Sequence, residues 1–213
     1  MAIKDRKRAL GETYAARARR EGYPARSVYK LSEFDEKQKL LRPGQKILDL
    51  GCAPGSWSLY AQEKVGPRGR VIGVDLQKPA LESGGTFIFA ERDIALPPTP
   101  EIRAVGPFDL VLSDLAPRTT GRRDADSYRS LELSRAAFAW ARSLLKERGD
   151  FLFKIFQGKE TGDYLKGEIR LSFAKLILLK PKATRPESVE IFVLGRGFRG
   201  GGASPSGDGR AEI

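Results

Sequence analysis

The chain has no histidine and one cysteine, Cys52. With no second thiol, Cys52 cannot close an internal disulfide. With no histidine, the common Cys/His zinc sites and a histidine general base are excluded. No apolar run approaches the roughly 20 residues that span a bilayer, and the opening MAIKDRKRAL lacks the continuous apolar segment of a secretory signal. The expectation is a soluble cytoplasmic protein that uses no metal and has no membrane partner. No internal repeat is evident either.

Positive charge is what the chain has in excess. Its 38 Lys and Arg against 27 Asp and Glu give a net charge of +11, which favours a polyanionic partner such as RNA over a small neutral one. Residues 1–26 contain eight Lys or Arg and three Asp or Glu, so this stretch supplies +5 of the +11. It reads as a basic arm, with a merely solvated tail as the plainer alternative. At the other end, residues 197–213 have almost no apolar content and are expected to form a disordered Gly/Arg-rich tail whose Arg-Gly repeats add loose affinity for RNA. Between them, residues 27–196 read as one domain. The 40% hydrophobic content of the 213 residues is enough for a single substantial core.

Ser27 is a candidate N-cap for a helix running to about Leu41, ahead of the helix-ending pair Pro43 and Gly44. Seven short runs rich in Val, Ile, Leu and Phe then read as strands, at residues 46–50, 70–76, 86–91, 108–115, 150–156, 174–180 and 189–195. Helical patterns lie between several of them, the clearest over residues 127–147. The alternation predicts an α/β fold, Rossmann-like, with a mostly parallel seven-stranded sheet covered by helices on both faces. Residues 180–187 separate the last two strands without an obvious helix, so that pair is expected to be antiparallel through the last strand.

The first strand runs into ILDLGCAPGSW, residues 47–57. In an open parallel sheet, ligands bind beyond the carboxyl ends of the strands, and this segment has the matching form: strand, glycine loop, helix start. The pair Gly51 and Gly55 does not complete the dinucleotide fingerprint G-x-G-x-x-G, and Asp49 would set negative charge beside a phosphate. A ligand carrying positive charge suits the loop better. Asp75, Asp93 and Asp114 stand at the ends of the second, third and fourth strands, so with Asp49 four carboxylates gather at one sheet edge. A lone aspartate there would read as a turn or cap residue. Four in register suit S-adenosylmethionine, with its cationic sulfonium and amino groups and its donating ribose hydroxyls.

Two charges interrupt runs that should be buried: Lys154 in DFLFKIFQG and Glu190 in SVEIFVLG. Unpaired, either would cost several kcal/mol. If the last strand inserts beside the fifth, the two become neighbours, and a buried ion pair is one explanation. Lys30 flanks the apolar face of the first helix and can reach toward the same edge.

Taken together, RSVYKL, LDLGCAPGSWS, GVDL, SDLAP, FLFKIFQG and the final KP...R..S.E resemble the FtsJ-like (RrmJ, RlmE) family of ribosomal RNA ribose 2′-O-methyltransferases, from Ser27 to about Gly195. The resemblance implies a catalytic Lys-Asp-Lys-Glu set on Lys30, Asp114, Lys154 and Glu190. It implies methyl-donor contacts at Gly55, Trp57, Asp75, Asp93 and Asp114, beside Asp49 and Gly51 from the strand-end reading. Cys52 stands where alanine is common in the family, and no cysteine chemistry is inferred from it. The implied reaction is methyl transfer from S-adenosylmethionine to an RNA ribose 2′-hydroxyl without a metal, leaving S-adenosylhomocysteine. Lys154 would act either as a neutral base or as a cationic orienter of the hydroxyl. The implied substrate is a uridine in the A-loop of large-subunit ribosomal RNA within the ribosomal particle, met by a monomeric enzyme. Transfer-RNA or mRNA-cap methylation is the alternative within the chemistry. A noncatalytic RNA-binding module and an NAD-dependent oxidoreductase are the alternatives from other classes. Residues 118–129 and the basic arm are suited to phosphate contacts, and Tyr29 or Tyr128 either stacks on a base or is ordinary packing.

Overall fold

A computed structural model describes residues 14–182 and 188–200. Strands β1 (Lys46–Leu50), β2 (Arg70–Asp75), β3 (Phe87–Glu91), β4 (Phe108–Ser113), β5 (Leu145–Phe156), β6 (Phe173–Leu179) and β7 (Glu190–Phe198) form one sheet in the order β3-β2-β1-β4-β5-β7-β6. The first five strands pair in parallel with one another, and β7 runs antiparallel to both β5 and β6. The α/β sheet expected from the alternating runs is therefore present, with its antiparallel strand inserted between β5 and β6.

Period-two alternation gives the central strands two buried faces. Along β5, Phe151, Phe153 and Ile155 pack with Phe138, Ala141 and Leu144 of α5 (Arg123–Leu144). On the opposite face Leu152 joins Phe192 and Leu194 against Leu31 and Phe34 of α2 (Val28–Gln38) and Trp57 and Ala61 of α3 (Ser56–Val65). Shorter helices α4 (Pro100–Val105), α6 (Thr161–Tyr164) and α7 (Arg170–Ser172) complete the cover, with a π-helical turn over Leu165–Ile169 joining the last two.

Several boundaries differ from the sequence pattern for identifiable reasons. Ser27 is itself helical in backbone and makes no side-chain cap; its carbonyl instead accepts the Trp57 indole N–H at 2.8 Å. Helix α2 stops at Gln38 because Lys39 turns left-handed at φ 52°, and Asp35 Oδ1 then accepts the amide of Leu41 at 2.8 Å. Leu40 and Leu41 stay buried outside the helix. Helix α5 starts at Arg123, ahead of residue 127, and β5 takes over at Leu145.

The chain also packs on the sheet before residue 27. Residues 14–20 are helical (α1), Ala18 is fully buried, the Arg17 guanidinium lies over the Tyr29 ring, and the Tyr23 hydroxyl donates to Glu63 at 2.6 Å. At the other end β7 extends through Phe198, past residue 197, where the sequence pattern places the start of the tail. The remainder of the arm, residues 1–13, and of the tail, residues 201–213, lies outside the described residues. Among the described residues no helix is long and apolar enough to cross a membrane.

Candidate active site

Strand β4 leaves the sheet after Ser113, while β5 continues to Phe156. With no β4 residue alongside, the carbonyl of Lys154 accepts from Ser134 Oγ (3.1 Å) and the amide of Phe156 donates to Ser130 Oγ (2.9 Å), both on α5. The end of β5 is thereby fixed beside the point where strand order reverses between β1 and β4, the place at which open α/β sheets bind ligands.

Lys154 lies near that strand end with only 6% of its side chain exposed. A buried ammonium is costly unless its donors are satisfied. Asp114 meets this need twice: Lys154 Nζ donates to its carboxylate Oδ1 at 2.7 Å and to its backbone carbonyl at 2.6 Å. Across the sheet, Lys154 is the register partner of Phe192, and Phe156 that of Glu190. Lys154 and Glu190 therefore share a face as diagonal neighbours. The ionic contacts nonetheless run elsewhere, because Glu190 Oε1 accepts from Lys30 Nζ of α2 at 2.7 Å. The Lys30 ammonium also stands 5.2 Å from the Phe192 ring centroid. Phe192 thus ties both lysines to one corner, and all four residues of the Lys-Asp-Lys-Glu set meet at the carboxyl ends of β4 and β5.

The neighbouring strand ends build a second compartment. Asp75, ending β2, accepts the amides of Ala53 (2.9 Å) and Gln77 (2.9 Å), so its carboxylate is held against the loop after β1. Gly51 (φ 77°) and Gly55 (φ 115°) supply left-handed turns there; a Cβ on Gly51 would come within 2.6 Å of the Leu115 side chain. Asp49 is 1% exposed and accepts from Ser58 Oγ at 2.7 Å. Burial first, with Asp114 and Asp75 adding like charge, pushes its carboxyl up to about 7. Asp49, Asp75 and Asp114 consequently form one electrostatic group.

Asp93 sits further out, exposed beyond β3, with Oδ1 accepting the Ala95 amide at 2.9 Å. With Ile94 and Pro117 it borders a groove of about 700 Å³ that runs onto α5. Trp57 turns its indole into the α2 interface, so its available group at the strand ends is the backbone amide in the first turn of α3, which has no intrahelical acceptor. Burial pushes the Cys52 thiol up, which keeps it an inert packing residue.

Three positioning residues are not singled out by the sequence pattern. Asp126 accepts the amides of Thr120 and Gly121 (2.9 and 3.0 Å) and the Thr120 hydroxyl (2.9 Å), pinning the arginine-bearing loop that links Asp114 to α5. The Thr120 amide, first among these donors, holds its carboxyl below the usual range. Ser130 and Ser134 secure β5. Asp126, Ser130 and Ser134 recur every fourth residue on the buried side of α5, a polar stripe visible in the sequence. Among the described residues, no three His, Cys, Asp or Glu side chains cluster as metal ligands.

The FtsJ-like methyltransferase family model matches residues 23–198. Ribosomal RNA large subunit methyltransferase E of Nitratidesulfovibrio vulgaris is 45% identical over 192 residues, spanning 89% of this chain and 95% of the relative. The protein of the same name from Oleidesulfovibrio alaskensis is 44% identical over 190 residues, spanning 88% and 91%. Among solved structures, a protein described as a ribosomal RNA methyltransferase from Plasmodium falciparum superposes with a TM-score of 0.72 at 26% identity, covering 84% of this chain and all of that one.

Proposed function

The chain belongs to the FtsJ-like methyltransferase family, and from that premise we propose that it methylates a ribose 2′-hydroxyl of large-subunit ribosomal RNA, using S-adenosylmethionine. The acceptor it fits by family likeness is a uridine of the A-loop, presented in the ribosomal subunit. The observation that carries the proposal is the buried Lys154 held by two oxygens of Asp114 beside the carboxylate-lined compartment at the β1 and β2 ends.

The residues present suit the donor. Asp75 keeps lone pairs for ribose hydroxyls while the loop amides fix it, and Gly51 and Gly55 leave room for close approach. The Asp49, Asp75 and Asp114 group matches a cation. When bound, S-adenosylmethionine supplies a methyl group on a sulfonium, which departs as a neutral thioether and so asks for no metal at the leaving group.

The protein's part is orientation and one proton. Orientation contributes about 7–11 kcal/mol in favourable cases. Two of the Lys154 Nζ valences are committed to Asp114. The third serves the 2′-hydroxyl, as an N–H donor if the group is an ammonium or as a lone pair if it is an amine. Lys30, anchored by Glu190, adds a second cation near the hydroxyl as its proton departs.

Lys154→Ala tests this reading. The variant should bind the donor with near wild-type affinity by calorimetry while losing more than about tenfold in single-turnover methyl transfer to ribosomal subunits, equivalent to more than about 1.4 kcal/mol. Retention of more than a tenth of the rate removes Lys154 from its central role. A rate that rises with pH through a lysine titration identifies the amine form; a flat profile identifies the ammonium.

A further inference from the structure

We propose that Tyr128 and the cleft beside it form a stacking subsite for an unpaired nucleobase of the RNA substrate, adjacent to the nucleotide being methylated. The proposal deepens the reading above and rests on it.

The chain has six tyrosines, and five are engaged with the protein. Tyr14 and Tyr29 lie ring to ring at 5.5 Å, Tyr23 bonds Glu63, the Tyr60 hydroxyl donates to Asp35, and the buried Tyr164 donates to Ser134. Tyr128 alone among them is 53% exposed, and no described residue stacks on its ring or bonds its hydroxyl. Packing accounts for Tyr29 and does not account for Tyr128. Its position does suggest a use.

Tyr128 stands on the second turn of α5, just after Asp126, whose bonds to the Thr120 loop hold this end of the helix in place. Beside it is a cleft of about 300 Å³ floored by the buried Leu131 and walled by residues 158–161. That wall is the continuation of β5: Gly158 comes four residues after Lys154, a separation of at most about 14 Å along an extended chain. The Ser127 hydroxyl clamps the turn through the carbonyl of Gln157 at 3.1 Å. A Cβ at position 158 would meet Ser127 at 2.7 Å, so helix and wall are in tight contact. The cleft therefore opens at the same strand end as the catalytic lysine, on the α5 side of the sheet, while the Lys154 side chain lies on the side of Leu152 and Phe192.

Its chemistry suits a base better than a phosphate or an apolar group. The exposed phenol offers a π-face and Leu131 an apolar floor. Asp124 and Glu160 on the rim accept from ring N–H and exocyclic amino groups. Lys159 lines the same cleft, and Arg122, Arg123 and Arg129, all exposed, lie within six residues of Tyr128 along the chain, available to flanking phosphates. Aromatic stacking tolerates any base, which a surface that receives an unstacked loop nucleotide requires.

The test compares wild type, Tyr128→Ala and Tyr128→Phe in methyl transfer to large ribosomal subunits that lack the modification, with donor affinity measured in parallel. Tyr128→Ala should keep donor affinity and raise the KM for subunits, lowering kcat/KM by roughly 5- to 150-fold, the equivalent of about 1–3 kcal/mol per stacked base. Tyr128→Phe keeps the ring and should stay within about twofold of wild type on the same stacking argument. The exposed position makes misfolding of either variant an unneeded explanation, and equal thermal midpoints would verify this. A Tyr128→Ala enzyme matching wild type overturns the subsite and leaves the methyltransferase reading intact. Equal losses in the Ala and Phe variants overturn stacking in favour of the hydroxyl. Wild-type protein that fails to methylate the subunits overturns the underlying reading, and the subsite with it.

Discussion

Asp49 shows how a single residue records the design of the site. It is buried in β1, where Ser58 Oγ donates to it, and burial pushes its carboxyl up to about 7. An aspartate in an unfolded chain titrates near 4. Between those values the folded state holds a proton that the unfolded state has lost, so this contribution to stability is complete below about pH 4 and declines as pH rises toward 7. Asp49→Asn keeps an acceptor for Ser58 and removes the titration. The variant should therefore gain thermal stability relative to wild type on going from pH 5 to pH 8, and a difference in thermal midpoint that is constant across that range would show that Asp49 does not titrate there. Lys154 and Glu190 were legible in the sequence because each is a charge inside an apolar run. The partner of each was not, because the diagonal register of β5 and β7 and the reach of α2 decide that Lys154 takes Asp114 while Glu190 takes Lys30. Trp57 was legible as a residue of the loop, but the direction of its indole depends on α2 packing over α3.

At the scale of elements, all seven strands could be read from apolar runs, almost unbroken in the central strands that are buried on both faces and still present in the part-exposed edge strands β3 and β6. Helix ends were less legible. Lys39 adopts a left-handed turn that its side chain does not announce, and α5 begins early because Asp126, three residues into the helix, captures the preceding loop. The β1–α3 junction is where local conformation bears most directly on the chemistry. Gly51 has φ 77°, and a methyl group there would press on Leu115, the residue immediately after Asp114. Gly51→Ala combines left-handed strain of about 1–2 kcal/mol with displacement of that side chain. The variant should unfold at lower denaturant concentration by about 1–3 kcal/mol. It should also lose donor affinity, because Leu115 links the donor compartment to the Asp114 backbone that holds Lys154. A variant with unchanged donor affinity would separate the loop turn from the site.

At the scale of the whole molecule, the proposed catalytic edge is flanked by cations. Arg118, Arg122, Arg123 and Arg129 are exposed along the segment after Asp114. Helix α1 brings further positive charge, since Arg17 packs on Tyr29 one residue before Lys30. Because Ala18 is buried and Arg17 covers Tyr29, removing residues 14–20 would damage packing as well as charge. The informative change is confined to residues 1–13, which carry Lys4, Arg6, Lys7 and Arg8 against Asp5 and Glu12. Replacing those four cations with glutamine preserves chain length and leaves Arg17 and Ala18 themselves unchanged. If they meet RNA phosphates, affinity for ribosomal subunits should fall, and the slope of log K against log salt should become shallower by about 0.9 for each duplex phosphate that is no longer neutralised. Donor affinity, measured in parallel, should not change if the four cations serve RNA alone. A salt series on both proteins reads the two effects separately. A fall in affinity at unchanged slope would assign the loss to nonionic interactions, and unchanged affinity with unchanged slope would reduce the start of the chain to solvated charge, leaving the arginines around Tyr128 and residues 17–26 as the phosphate-binding surface.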